Sequence, residues 1–359
     1  MANQQNICFF NTTKFWGGGE KWHFETAEMM ARTHNPTFFV ADGNSVMAKK
    51  LAKTPIKQYH ITTGNLSFLN PAKVNQLVKF YKENKIDTVI FNSPKDLKLG
   101  GKAAKKANVR NIIYRRGIAV EVKKSPVNKK LYKDVVTHFI FNSESTKQLL
   151  IKNFEGILEG KKTAIIYNAV DFQNTENINK KDQKATILIG NAGRLVEQKG
   201  QKNLIEIARI LKTKGLDFKL LIAGEGPLHE QLQIMIDQYH LHKQINLLGF
   251  VEDMKTFMAQ IDIFVSTALW EGFGFVLAEA MAAQKPVLGF NLSSNPELIN
   301  DGENGFLIKP QNLGEFAEKL ALLINDDSLR DQMGKKAYQF AKTNFEKESQ
   351  FQKLLDFIS

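Results

Sequence analysis

The feature that most constrains this chain is rhythm: short apolar runs alternate with helical stretches along nearly all of its 359 residues. Runs too short for a buried helix, each separated from the next by an amphipathic segment, are the pattern of βαβ units and a parallel sheet. In the first half the pattern predicts strands over Asn6–Phe10, Thr37–Ala41, Gln58–His60, Thr88–Phe91, Asn111–Tyr114, His138–Phe141 and Thr163–Ile166. Helices are predicted between them, among them Lys21–Thr33, Pro71–Asn84 and Ser145–Asn153, the last capped by the run starting at Ser143. A polar stretch over 171–184 then breaks the rhythm and reads as a linker. A second series follows, with strands over Thr186–Asn191, Lys219–Ala223, Ile245–Leu248, Ile263–Ser266, Val287–Phe290 and Gly305–Ile308. Its helices are expected over Lys202–Lys214, Leu228–Tyr239, Phe275–Ala283 and Leu313–Asn325, and the tail Met333–Ile358 reads as one further helix. The fold class is therefore α/β in two similar halves: 1–172, a linker at 173–184, 185–340, and a C-terminal helix at 341–359 that is expected to pack back toward the first half. Two such halves place a ligand cleft between them.

Composition matters where it is uneven. The first 170 residues carry 28 Lys and Arg against 12 Asp and Glu, and the remainder 21 against 25, so all of the excess positive charge lies in the first half. Runs such as Lys102, Lys105, Lys106 and Arg110, or Lys123, Lys124, Lys129, Lys130 and Lys133, are ordinarily solvated faces. Their one-sided distribution points instead to an anionic partner, a membrane surface or acidic glycan ahead of nucleic acid, for which no recognition motif accompanies the charge. The single cysteine, Cys8, excludes an internal disulfide and sits in an apolar run as a buried strand residue. No stretch approaches the ~20 apolar residues of a membrane span, so the expected location is cytoplasmic, with peripheral attachment to the inner face of the membrane open.

The most informative segment is Trp270-Glu271-Gly272-Phe273-Gly274-Phe275-Val276-Leu277-Ala278-Glu279. It follows one predicted strand and opens a predicted helix. Gly272 and Gly274 let backbone approach a ligand, and a helix start directs unpaired N–H groups at an anion. Glu271 and Glu279 flank that terminus and can hold neutral hydroxyls on either side of a bound phosphate. A capped helix with two surface glutamates is the plain alternative; strand, double-glycine turn and helix together favour the ligand site.

This arrangement resembles the family 4 glycosyltransferases, which have the GT-B fold, two Rossmann-like domains with parallel sheets facing a central cleft. The loop Gly193-Arg194-Leu195-Val196-Glu197-Gln198-Lys199-Gly200 is similar to the family's basic phosphate loop. Ile222–Pro227 through Gly224, Leu248-Gly249-Phe250-Val251, Asn304–Leu307 and Tyr167-Asn168-Ala169-Val170-Asp171 are similar to further family elements, in the family's order. The resemblance implies a donor site in the second half. There Glu279 would hold ribose hydroxyls and Glu271 the sugar hydroxyls, Arg194 and Lys199 would neutralise the diphosphate, the backbone of Phe250 and Val251 would meet the base, and the turn Phe273–Leu277 the distal phosphate. It further implies a retaining transfer of a hexose-type sugar from a nucleoside-diphosphate donor, UDP before GDP, to a glycan or lipid-linked acceptor, as in surface polysaccharide or lipopolysaccharide assembly. A different GT-B enzyme (epimerase or phosphorylase), an NAD-linked enzyme, or a non-catalytic carbohydrate- or membrane-binding relative are the rival classes.

No Asp-x-Asp pair and no ligand spacing for a metal is present, so no cofactor is expected and positive side chains would take the place of Mg²⁺. In the first half only Gly17-Gly18-Gly19-Glu20 matches the family well. It is either an ordinary left-handed turn or a close approach to donor and acceptor, with Gly18 and Gly19 on the donor and Glu20 on the acceptor. Where many relatives carry a histidine after the fifth strand, this chain has Arg115-Arg116-Gly117, which either binds a phosphate or acidic acceptor or is a simple surface pair. His23 and His138 read as satisfied core histidines.

Overall fold

A computed structural model describes residues 4–33, 35–172 and 186–359. It contains thirteen described strands: β1 Ile7–Phe10, β2 Thr37–Ala41, β3 Lys57–His60, β4 Thr88–Phe91, β5 Asn111–Arg116, β6 His138–Phe141 and β7 Lys162–Ile165, then β8 Ile187–Ala192, β9 Phe218–Ala223, β10 Ile245–Gly249, β11 Ile263–Ser266, β12 Val287–Phe290 and β13 Gly305–Ile308. The chain forms two compact units, 4–168 with 348–359, and 169–347. The predicted linker at 173–184 lies outside the described residues.

Unit 1 is a seven-stranded sheet in the order β3-β2-β1-β4-β5-β6-β7, and unit 2 a six-stranded sheet in the order β10-β9-β8-β11-β12-β13; every ladder is parallel. Helices cover both faces, which is why central strands such as Ile7–Phe10, Val287–Phe290 and Ile263–Ser266 are buried at every position rather than alternately. In unit 1 one face packs Phe10, Leu77, Phe91, Tyr132 and Phe139, and the other packs Phe9, Met30, Phe39, Ile113 and Ile140. In unit 2 the helix Gln201–Thr213 turns Leu204, Ile205, Ala208 and Leu211 inward with Ile189, Val265, Phe290 and Phe316. The two orders share one topology: the second half of each sheet grows from the opposite side of its first strand. The reversal lies between β1 and β4 in unit 1 and between β8 and β11 in unit 2, and in open parallel sheets the carboxyl ends at that point form a crevice.

Three expectations need correction. The tail is two helices, Asp327–Phe345 and Lys347–Ile358, because Glu346 is extended and the Phe345 carbonyl accepts from the Val170 amide at 2.9 Å. The helix after β1 starts at Gly18 rather than Lys21, with Gly17 extended at its cap. β5 runs two residues further than its apolar run: it is an interior strand with both faces covered, so Arg115 and Arg116 are pulled into the sheet. Short helices at Val46–Leu51, Pro126–Asp134 and Met254–Gln260 went unpredicted, being too brief or too polar to show a period.

Candidate functional site

In unit 2 the reversal between β8 and β11 brings together the loops that the sequence singled out. Leaving β8, the Gly193 amide donates to the Ala223 carbonyl at 2.9 Å, and the Leu195 amide to the Glu225 carbonyl at 2.9 Å. The loop from β9 passes so close that a Cβ on Gly224 would stand 2.0 Å from the Gly193 carbonyl oxygen, and its φ of +134° also excludes a side chain. The Gly224 amide donates to Gly249 at 2.7 Å, which ties in the end of β10. Next to it Phe250 is 73% exposed and Val251 half-buried.

The loop then makes a short turn at Glu197–Lys199 and reverses at Gly200, whose φ is +63°. A Cβ there would lie 2.2 Å from the Thr267 carbonyl oxygen, so this glycine sets how closely the loops after β8 and β11 approach. Three hydrogen bonds stitch them: Thr267 Oγ1 to the Gly200 carbonyl at 2.8 Å, the Leu269 amide to Gln198 at 2.8 Å, and Gln198 Nε2 to the Trp270 carbonyl at 2.9 Å. The result is an ion pair between Lys199 and Glu271, whose side chains are only 22% and 14% exposed. Glu271 is held from its other side, its amide donating to Ser293 Oγ at 3.2 Å and its carbonyl accepting from Ser294 Oγ at 3.3 Å. Arg194, in the same loop, is exposed, and its guanidinium has no ion pair or hydrogen bond among the described residues.

After Glu271 and Gly272 the chain buries Phe273 edge-on against Phe345 at 5.1 Å, which anchors the turn. Gly274 follows at φ +84° and caps the helix Phe275–Ala282 without any side-chain cap bond. The Leu277 and Ala278 amides donate back to the Gly274 carbonyl, whereas the Val276 N–H has no acceptor among the described residues. An uncapped helix start of this kind presents partial positive charge to an anion. Glu279 stands half-buried in the second turn of that helix.

The corresponding corner of unit 1 is built differently. Gly17, Gly18 and Gly19 have no positive φ, so the left-handed-turn reading is wrong; at Gly19 space is short, a Cβ there standing 2.5 Å from Asn92 Nδ2. Glu20 lies in the first helical turn and accepts from Asn11 Nδ2 at 3.4 Å. Arg115 and Arg116 are both buried, which overturns the surface-pair reading. Arg115, 1% exposed, lies 4.1 Å over the Trp22 ring and donates to the side-chain oxygens of Asn92, at 2.8 Å, and Asn168, at 2.5 Å. Burial pulls its pKa down to about 9, with Glu20 acting weakly the other way, so it stays charged at neutral pH. Arg116 donates to the Val120 carbonyl. His23 is a core histidine, but not a satisfied one: neither ring nitrogen finds a partner among the described residues, and burial, then Arg115, hold its pKa well below the usual value. His138 is bonded through Nδ1 to Thr137 Oγ1 at 2.7 Å, and burial lowers its pKa to about 4. Cys8 is buried in β1, and burial pushes its thiol up.

One cluster was missed in the sequence. Asp96 is fully buried and accepts from the Thr12 amide at 3.1 Å and from Thr63 Oγ1 at 3.0 Å, closing the end of β1. The visible sign was Ser93-Pro94, a cap and first turn just after β4.

With this geometry in view, likeness to known proteins falls on both units. The family model for glycosyl transferases group 1 matches residues 171–340, and that for glycosyltransferase family 4 matches residues 16–174. The chain belongs to glycosyltransferase family 4. A Campylobacter jejuni N-acetylgalactosamine-N,N'-diacetylbacillosaminyl-diphospho-undecaprenol 4-alpha-N-acetylgalactosaminyltransferase is 34% identical over 207 residues, 56% of this chain and 54% of that protein. An Escherichia coli UDP-Gal:alpha-D-GlcNAc-diphosphoundecaprenol alpha-1,3-galactosyltransferase is 29% identical over 292 residues, 76% of this chain and 75% of its own length. For several curated relatives the match spans about half of their length or less, 39%, 54% and 55%. Among solved structures, Anabaena HepE in complex with UDP and glucose superposes with a TM-score of 0.83 at 23% identity, covering 98% of this chain and 99% of that one. The fold of this family 4 member is thus GT-B, two parallel-sheet α/β units. Among the described residues no three His, Cys, Asp or Glu side chains cluster as a metal site, and no helix is long and apolar enough to cross a membrane.

Proposed function

We propose that the chain is a retaining glycosyltransferase that moves a hexose-type sugar from a nucleoside diphosphate, UDP before GDP, to a glycan or lipid-linked acceptor of surface polysaccharide or lipopolysaccharide assembly. The observation that carries this reading is the Lys199–Glu271 pair, held by stitched loops beside exposed Arg194 and the uncapped start of the helix Phe275–Ala282. In glycosyl transfer from a nucleotide sugar, the bond from C1 to the phosphate oxygen breaks and negative charge gathers on the diphosphate. Fixed cations and backbone N–H groups placed there stabilise that charge more in the transition state than before it. Arg194 and Lys199 would do so without a metal ion. Glu271 would turn from Lys199 to the sugar hydroxyls, Glu279 would hold the ribose, the backbone at Phe250 and Val251 the base, and the turn from Gly272 to Leu277 the distal phosphate. Gly193 and Gly224 would keep the approach open. In unit 1, Gly18, Gly19 and Glu20 would face the substrates, with Asn168 and Arg115 bracing them.

Attack from the face that the diphosphate leaves lets the departing phosphate oxygen take the acceptor's proton, while the acceptor oxygen bonds to C1. No side-chain nucleophile enters, and configuration is retained. The pair also has a thermodynamic consequence: in the free protein Glu271 already neutralises Lys199, so an incoming diphosphate competes with an internal carboxylate. Relatives named for undecaprenol-linked substrates, and solved neighbours bound to UDP and glucose, favour the same donor and acceptor classes. Peripheral attachment of unit 1 to an anionic membrane accompanies this reading.

Thermal-shift titration with UDP, GDP, ADP and their sugars tests the donor; stabilisation by UDP species is expected, and none from any nucleotide would sink the reading. NMR of the product tests the stereochemistry, and an inverted linkage would refute the same-face mechanism.

A further inference from the structure

Part of the basic excess of unit 1 lines a single groove. A groove of about 1150 Å³ lies between the helix Pro126–Asp134 and the segment leading into β7, and it is lined by Lys124, Lys129, Lys133 and Lys161 against Glu155 and Glu159. Lys161 is built into it: its ammonium donates to the carbonyls of Lys133 at 2.9 Å and Val136 at 2.6 Å. Desolvation lowers its pKa, with Asp134 opposing and Lys105 adding to the shift.

The same stretch of chain exposes aliphatic side chains. Ile118 is 54%, Val120 53% and Val127 47% exposed. This projection is fixed in place. Arg116 donates to the Val120 carbonyl, Asn153 Nδ2 to Val122 at 3.0 Å, Asn128 Nδ2 to Lys123 at 3.0 Å, and Ser125 Oγ caps the helix through the Asn128 amide at 3.1 Å. Glu121, the carboxylate between the aliphatics, is neutralised by Lys152 at 2.6 Å.

A soluble polyanion would satisfy the lysines and leave three aliphatic side chains in water; an apolar protein surface would do the reverse. A bilayer with anionic headgroups uses both, since aliphatic groups enter the acyl boundary while ammonium groups meet phosphate. We propose that this corner of unit 1 docks on anionic phospholipid, with Ile118, Val120 and Val127 entering the interface and phosphodiester oxygens entering the lysine groove. The proposal rests on the peripheral-attachment reading and places it at the groove of Lys124, Lys129 and Lys133 rather than at Lys102–Lys106, which do not line that groove.

The test is flotation of the full chain with phosphatidylcholine vesicles, with and without phosphatidylglycerol. Lys124→Gln with Lys129→Gln should weaken partition onto the anionic vesicles about thirtyfold, two lysines' worth. The charge-matched pair Lys49→Gln with Lys53→Gln, elsewhere on unit 1, should change it less than about fivefold. Ile118→Ser with Val120→Ser should abolish the binding that survives high salt, where charge is screened. Equal losses from the two lysine pairs would overturn the site while leaving peripheral attachment standing. Competition by inorganic polyphosphate, with the serine variant unaffected, would assign the groove to a soluble polyanion instead. If the unaltered chain floats with neither vesicle, the site and peripheral attachment fall together, whereas the donor reading, which needs no membrane, survives.

Discussion

The two sheets reverse direction in the same way, yet the crevices at their reversal points are furnished in opposite ways. Next to the β1–β4 reversal in unit 1, Arg115 at the end of β5 is sunk beneath the surface between two asparagine side chains and a tryptophan ring. At the end of β8 and β11 in unit 2, the charged groups are Arg194, exposed, and the Lys199–Glu271 pair, partly accessible. A buried cation with neutral partners cannot be exchanged for a ligand without unsatisfying them, so it braces the structure. A carboxylate and an ammonium that satisfy each other near the surface can each be taken over by a substrate. Shared topology places the crevices; the burial of their charges sets which of them a ligand could reach.

Lys199→Ala is the severest test of the unit 2 half of that contrast. It should lower kcat/KM by about 10²–10³, the cost of one donor lost from a charge-stabilising site, with circular dichroism unchanged. Ordinary turnover in that variant would break the comparison. In unit 1, Arg115→Met should instead cost about 2–3 kcal/mol of stability by denaturant titration, because Asn92 Oδ1 and Asn168 Oδ1 both lose their donor. Arg115→Lys should rescue little, since an ammonium cannot span both oxygens as the guanidinium fork does.

Acid sharpens the contrast further. His23 and His138 both have lowered pKa values in the folded chain, chiefly through burial. An unfolded histidine takes its proton near pH ~6.5, so below that point the unfolded state binds more protons and stability falls as pH falls. The loss should begin near pH ~6.5, run down to about 4 for His138 and continue lower for His23, with a slope of up to about 1.4 kcal/mol per pH unit for each group. His23→Phe should remove its share of the slope, and hydrogen exchange at descending pH would show whether the unit 1 core loosens with it. The smallest effect is expected from Glu271→Gln. With the internal competitor removed, free nucleoside diphosphate should bind about three- to tenfold tighter by calorimetry even as turnover falls. Unchanged affinity would mean that the pair imposes no competition.

Much of this architecture was legible because interior parallel strands must be apolar on both faces. Runs such as Val287–Phe290 and Ile263–Ser266 therefore stood out with their true limits. The unit 2 loops were legible for a related reason: Gly200, Gly224 and Gly274 mark places where only a glycine conformation or a missing Cβ fits. Arg115 was misjudged because local pattern treats arginine as a surface residue, whereas the depth of β5 and the amides of Asn92 and Asn168 are decided by distant parts of the chain. The Asp96 cluster was hidden for the same reason, its carboxylate taking its partners Thr12 and Thr63 from two distant loops. The tail looked continuous since both its helices keep their period, and the break at Glu346 is set by a bond to Val170 that no local window contains.

The last helix has a consequence for how the protein is made. Leu354 and Ile358 are buried in the core of unit 1, the Ile358 carbonyl accepts from Gln5 and Asn111 side chains, and the Phe357 ring meets His138. A ribosome therefore releases all of unit 2 before supplying the piece that completes the first-synthesised unit. Until then β1 and its neighbours wait with an open apolar flank, the interval in which a chaperone would find most to hold.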